Sequence, residues 1–176
     1  ENYTHWNAVG YTWSDPFRGN RIDEVLSPHD SLTLEDLTSL QVDYLSLPAR
    51  ALTPMLLKIP FQGRDNKAKS MLEDWDYRLD PHSIEAAIYT AFERELERLA
   101  HEQLVPTEVQ SFIIRINLTK LIGWLSEPTS EIFGSTPEKT RTALLTQAFQ
   151  RGVESLTQKL GPDMNQWQYG QAKLKH

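Results

Sequence analysis

The chain has 176 residues, enough for one ordinary domain or for one piece of a larger one, and its 39% hydrophobic and 24% charged content is typical of a globular protein. Its 18 Lys and Arg residues and 24 Asp and Glu residues give a net charge of −6, which argues against general nucleic-acid binding. It contains no cysteine, which excludes disulfides, thiolate metal sites and a cysteine nucleophile, and it has no apolar run long enough to cross a bilayer.

The first elements follow an aromatic-rich opening. Residues 1–16 have no helical period, and we expect them to be extended chain and loop. Over 17–26, apolar side chains recur at spacings of three and four, which predicts one face of a short helix. Pro28 disfavours helical backbone in the residue before it and should end this helix.

A capping box predicts the start of the next helix. Thr33 is followed three residues later by Asp36, so each side chain can bond a backbone N–H of the first turn. The apolar face continues to Leu47, and Pro48 should kink or end the helix because it lacks a backbone donor. A second helical stretch is then expected over 49–59.

Two amphipathic patterns occupy the middle of the chain. The first covers 64–77 and should end before Pro81. The second has Ser83 as its N-cap and a long apolar stripe up to position 104. This second pattern predicts one of the two longest helices of the protein, 83–104.

The region 107–126 is also predicted to be helical. Thr107 and Gln110 have the spacing of a capping box, and apolar residues continue to position 126. The neighbouring pair Ile113 and Ile114 is also compatible with a strand, because β-branched residues favour strands.

The last predicted helix, 137–160, is the other long one. Thr136 and Pro137 provide an N-cap and a first-turn proline, and Gly161 should end the helix. Residues 165–176 are expected to be extended, like the opening. The sequence therefore predicts a mainly all-α fold with short extended segments at both ends.

An acidic cluster between positions 74 and 85 is a candidate metal site. Asp74, Asp76, Asp80 and Glu85 superficially resemble a calcium loop, but the turn glycine is missing and Arg78 stands at a ligand position. A solvated helix end is the favoured interpretation, and an enzyme that uses this cluster stays an alternative that metal titration would test. The five histidines lack the spacing of metal ligands.

Two arginines on the first short helix admit two interpretations. Arg18 and Arg21 can be surface residues that stack on Trp13 or Tyr11. Alternatively, one guanidinium faces a cleft and meets an anion or a polar substrate group, because its fork of donors cannot lose its charge. The physics of the sequence leaves both open.

Several segments, in order along the chain, resemble the penicillin amidase (penicillin acylase) family. They are GYTWSDPFRGNRI at 10–22, LTLED at 32–36, LQVD at 40–43, SLPAR at 46–50, WD at 75–76 and WQYGQ at 167–171. The aromatic-Arg-x-x-Arg-Ile element followed by a capped helix and Leu-Pro-Ala-Arg is the most specific part. The resemblance covers nearly the whole chain.

The resemblance implies an N-terminal-nucleophile hydrolase that matures by autocleavage and has an αββα core with a helical excursion. It implies that 1–176 is a single helical domain of the large subunit, a fragment with 1–16 and 165–176 as connections to the core. Because the chain begins at Glu1, we expect the nucleophilic serine to lie outside it and the fragment alone to be inactive. The parent would hydrolyse a linear amide bond in a penicillin, cephalosporin or acyl-homoserine-lactone type substrate.

The resemblance also assigns site residues and surroundings. Arg21 matches a supporting arginine near the family's active site, and Asn2 is the candidate for the oxyanion-stabilising asparagine. No cofactor is expected in this chain, since the ligands of the family's structural calcium lie mostly outside it. The implied partners are the small subunit, the large-subunit core and a small amide substrate, without nucleic acid or a membrane span. The implied location is periplasmic or exported, with no signal visible in this chain.

A stand-alone helical interaction module without catalysis is the main alternative function. In that interpretation the aromatic ends of the chain form a patch that binds a partner.

Overall fold

The computed structural model describes residues 15–174, and this part of the chain is all-α, as predicted. Within it, eight α-helices and no β-strand are present. The helices are α1 Phe17–Leu26, α2 Leu34–Gln41, α3 Leu47–Leu57, α4 Gly63–Ser70, α5 Ile84–Leu104, α6 Leu118–Ser126, α7 Ser130–Phe133 and α8 Pro137–Leu160. Three-residue 3₁₀ turns lie at Thr107–Val109, Met164–Gln166 and Ala172–Leu174.

The long helices α5 and α8 pack against each other and form the centre of the core. Ser83 caps α5 by accepting a hydrogen bond from the Ala86 amide at 2.9 Å, and Pro137 lies in the first turn of α8. Phe92 and Phe149 meet between the two helices with ring centroids 6.1 Å apart, and both are fully buried. Burial of each such side chain stabilises the fold by roughly 2 kcal/mol. The predicted pair of longest helices is confirmed.

The helix predicted to continue to position 47 is shorter than the apolar pattern suggested. The Thr33–Asp36 capping box is present, but α2 ends at Gln41. Ser46 then caps α3 by accepting a hydrogen bond from the Ala49 amide at 3.2 Å. Pro48 lies in the first turn of this helix instead of ending one, because a proline there loses only an N–H that has no acceptor within the helix.

The predicted helix over 107–126 was wrong in its first half. Thr107 makes no capping hydrogen bond, and the Gln110 side chain donates instead to the Val105 carbonyl at the end of α5, at 2.9 Å. Asn117 caps α6 by accepting from the Lys120 amide at 3.1 Å, so the helix begins only at Leu118. The Ile113–Ile114 pair is neither helix nor strand but an exposed loop.

The 64–77 prediction is also too long. The helix there, α4, ends at Ser70, and the chain continues through turns to an isolated antiparallel bridge between Leu45 and Arg78. The turns place Trp75 against Tyr89 of α5, with ring centroids 5.4 Å apart. Because α4 ends at Ser70, the residues that follow can reach the segment just before α3 and form this bridge.

The described end of the chain is compact where extended structure was expected. Residues 164–174 contain the last two 3₁₀ turns, and Trp167 is fully buried, with its indole N–H donating to the Gly161 carbonyl at 2.9 Å. The Gly170 amide donates to the Pro81 carbonyl at 2.7 Å. The expected extended segment over 1–16 falls almost wholly outside the described residues.

Candidate functional site

Arg21, the supporting residue assigned from the resemblance, is held by an ion pair across two segments. It lies in the middle of α1, and its Nε donates to Asp43 Oδ2 at 2.7 Å. Its side chain is 23% exposed and that of Asp43 only 10% exposed. A pair with so little solvent access is screened much less than a surface pair.

Asp43 accepts hydrogen bonds from three groups. Besides Arg21, it accepts from the Arg78 guanidinium at 3.1 Å and from the Leu45 amide at 3.2 Å. Burial alone raises the pKa of Asp43, but the hydrogen bonds from Arg21 and Leu45 and the two positive charges outweigh it. The pKa therefore lies below its ordinary value, and Asp43 is an anion at neutral pH.

The backbone around Asp43 explains why Arg78 reaches it. The Ser46 amide donates to the Tyr77 carbonyl at 2.9 Å, and the Leu79 amide donates to the Tyr44 carbonyl at 2.8 Å. Tyr77 has a φ of 64°, an uncommon left-handed conformation for a bulky residue. Such conformations persist only where the surrounding structure determines them, and they cluster at functional sites.

Further charged residues extend this contact into a network. Arg21 also contacts Glu24 at 3.3 Å, and Glu24 accepts two hydrogen bonds from Arg50 of α3, at 2.7 and 2.9 Å. At the other end, Arg78 lies 3.6 Å from Asp80. We call these six residues the arginine–carboxylate network: Asp80, Arg78, Asp43, Arg21, Glu24 and Arg50. Their charges alternate in sign and sum to zero.

A groove of about 550 Å³ lies beside Arg21. Its wall is formed by α1, α2, the start of α3 and the 43–46 connection, and most of its side chains are apolar. They are Phe17, Ile22, Leu37, Leu40, Leu45, Leu47, Pro48 and Leu79. Arg18 also lines the groove but makes no ion pair within residues 15–174. An apolar groove with a few fixed polar groups at one side is the usual form of a small-molecule site.

The other candidate residues are not brought into this site as a group. Asp76 accepts from the Arg78 amide at 3.0 Å, and Glu85 accepts from the Ser83 hydroxyl at 2.8 Å. Across positions 15–174, three or more His, Asp or Glu side chains are nowhere close enough together to hold a metal ion. Asn2, Tyr11 and Trp13 lie outside the described residues.

Sequence reasoning missed Asp43 and Arg78 as members of the site. Asp43 lies within the apolar pattern that was predicted to stay helical up to position 47, and only its place in the LQVD segment of the family resemblance singled it out. It also missed the pair of buried Tyr89 and half-buried Glu93 on α5, in which the tyrosine hydroxyl donates to the carboxylate. Burial raises the pKa of Glu93 to about 7, although this hydrogen bond lowers it.

No helix in the described 15–174 region combines the length and hydrophobicity required of a membrane span.

Comparisons with known proteins identify the family. A search of curated proteins gave no match. The family model for penicillin amidase matches residues 1–176, the whole length of the sequence. The chain therefore belongs to the penicillin amidase family of hydrolases.

Proposed function

We propose that this chain is the helical part of an amide hydrolase and that Arg21 is its contribution to the active site. The observation that carries the proposal is the Arg21–Asp43 pair at 2.7 Å, fixed at the side of an apolar groove, in the position where the family motif has its arginine. A guanidinium that is already fixed loses little conformational freedom when it meets a polar group of the substrate or of the catalytic core.

The contacts of the two arginines favour Arg21 over Arg18. Arg21 uses Nε for Asp43 and one Nη atom for Glu24, while its other Nη atom makes no hydrogen bond within residues 15–174. Arg18 is exposed and makes no ion pair there. Arg21 therefore combines a fixed orientation with unused donors, which is what an electrostatic role requires.

The nucleophile in this proposal lies outside residues 1–176. An αββα core needs β-sheets, and residues 15–174 contain no strand. Hydrolysis also needs an activated nucleophile and donors directed at the developing oxyanion. The missing groups would come from the large-subunit core and the small subunit. The substrate would be a penicillin, a cephalosporin or an acyl-homoserine lactone, cleaved at a linear amide in the periplasm or after export.

Kinetics of the complete hydrolase test this function. Arg21→Ala should lower kcat/KM about tenfold or more, or about 1.4 kcal/mol, because it removes the fixed donors. Arg18→Ala is the matched control and should lower kcat/KM much less. Arg21→Lys should restore little activity, because an ammonium group cannot reproduce the planar fork.

Equal losses for Arg18→Ala and Arg21→Ala, with unchanged thermal melts, would contradict the assignment of Arg21. The isolated chain should not release product from a chromogenic phenylacetyl amide above the buffer rate. Turnover that stays with the protein through repeated purification would place the nucleophile inside residues 1–176.

A further inference from the structure

We propose that Asp43 is a positioning residue that fixes the direction of the Arg21 guanidinium toward the groove; the proposal rests on the proposed role of Arg21. Asp43 belongs to the connection between α2 and α3, while Arg21 belongs to α1. Of the residues that pair with Arg21 in the described part of the chain, Asp43 alone lies on a different element.

The alternative partner of Arg21 shows what Asp43 prevents. Glu24 lies three residues along the same helix and contacts Arg21 at 3.3 Å. Without the Asp43 carboxylate, Arg21 would pair with Glu24 alone and turn along the surface of α1. It would then compete with Arg50, which holds Glu24 through two hydrogen bonds. The Nε contact at 2.7 Å keeps the guanidinium directed across to the 43–46 connection, at the side of the groove.

Asp43 itself is held firmly enough for this role. One of its oxygens accepts from both Arg78 and the Leu45 amide, which leaves the other oxygen for Arg21. The segment that carries Asp43 is fixed in turn by the Leu45–Arg78 bridge. A carboxylate supported by backbone contacts fixes its partner more precisely than one on a freely rotating exposed side chain.

A double-mutant cycle in the complete hydrolase tests the positioning role. Asp43→Asn keeps the size of the side chain but removes its charge, and we expect it to lower kcat/KM about tenfold, comparably to Arg21→Ala. In the Arg21→Ala background, Asp43→Asn should change kcat/KM by less than about twofold, because there is no longer a guanidinium to direct. Asp23→Asn is the control: Asp23 is an exposed carboxylate on the same helix as Arg21 and makes no ion pair within residues 15–174, so this substitution should leave kcat/KM nearly unchanged.

The outcomes separate the two proposals. If Arg21→Ala leaves activity intact, the proposed function fails, and the positioning role fails with it. If Arg21→Ala is costly and Asp43→Asn is not, only the positioning role is overturned. If Asp43→Asn lowers activity equally in both backgrounds, Asp43 has a structural role and the proposal is also overturned.

A measurement on the unaltered chain keeps the proposal testable if Asp43→Asn does not fold. Side-chain Nε–H signals of arginines labelled with ¹⁵N report exchange with water. The Arg21 Nε–H, bonded to Asp43, should exchange about tenfold or more slowly than that of Arg18. Equal exchange rates would show that the Arg21–Asp43 bond does not restrain the guanidinium.

Discussion

Gly152 of α8 lies directly against the backbone of Ala91 in α5. A β-carbon at position 152 would stand 2.9 Å from the Ala91 carbonyl carbon and 2.9 Å from the Phe92 amide nitrogen. Both neighbours are backbone atoms of a long helix and cannot move aside as a flexible side chain could. The closest approach of the two central helices therefore depends on the absence of a side chain at this position.

Gly152→Ala should destabilise the protein although alanine is the better helix former. The added methyl group would push α8 away from α5, and we expect a loss of about 2 kcal/mol in the free energy of unfolding. Chemical denaturation followed by circular dichroism measures it. Gly123→Ala in α6 is the matched control, since nothing lies within 4 Å of that β-carbon, and it should be neutral or stabilising by up to about 1 kcal/mol. Equal effects of the two substitutions would contradict the close approach.

The Tyr89–Glu93 pair predicts a pH-dependent loss of stability. The pKa of Glu93 is 4.5 in an ordinary setting and about 7 in the fold, raised by burial and by the charge of Glu97 and lowered by the hydrogen bond from Tyr89. The folded state thus binds this proton more tightly than the unfolded state does. Its contribution is fully present below pH 4.5 and is lost as pH rises through about 7.

Glu93→Gln should remove this pH dependence, because an amide does not titrate and can still accept the Tyr89 hydrogen bond. Above neutral pH the variant should be more stable than the natural chain by about 2 kcal/mol, and at low pH the two should be similar. Unfolding curves collected across this pH range test the difference. A stability difference that does not vary with pH would show that Glu93 titrates normally.

Trp167 should contribute more to stability than its position near the end of the chain suggests. It is fully buried, and its indole N–H donates to the Gly161 carbonyl. Trp167→Phe removes this donor and leaves a cavity, so we expect a loss of about 2–3 kcal/mol. Trp124→Phe, at a half-buried position on α6, should cost clearly less. Denaturant titration of both variants makes the comparison, and similar losses would contradict the role assigned to Trp167.

Two isoleucines two residues apart provide a test of the 107–117 loop. Ile114 is 91% exposed, whereas Ile116 is 6% exposed. Ile114→Ser should change the unfolding free energy by no more than about 0.5 kcal/mol, while Ile116→Ser should lower it by about 2 kcal/mol or more. Thermal melts distinguish the two. A large loss for Ile114→Ser would mean that this loop is helical or packed, as the apolar pattern first suggested.

The parts of the fold that were predictable depend on interactions between near neighbours in the chain. The Ser83 cap and the apolar stripe that follows it define α5, and both are visible within a few residues. Pro48 shows where prediction from near neighbours fails, because a proline is compatible both with the end of one helix and with the first turn of the next. Ser46 decides between the two, because its side chain caps a new helix that begins at Leu47.

The site was less predictable because its contacts join distant positions. Arg21 stood out only through its place in a family motif, and its partner Asp43 lies 22 residues away. Arg78 is a further 35 residues beyond Asp43. No periodicity links such positions, and the bridge that brings them together depends on the left-handed conformation of Tyr77.

The helices α1 and α2 contain no buried residue. Polar contacts join the half-buried apolar side chains in attaching α1 to its surroundings. They are the pairs of Arg21 with Asp43 and of Glu24 with Arg50, and the hydrogen bonds from Thr119 to Asp15 just before the helix. Of these contacts, the exposed Glu24–Arg50 pair weakens as salt is added, whereas the more sheltered Arg21–Asp43 pair is screened much less. Because α1 buries no residue completely, we expect its local opening to need less free energy than global unfolding. The Arg21 guanidinium is thus carried by an element that can open while the central helices remain closed.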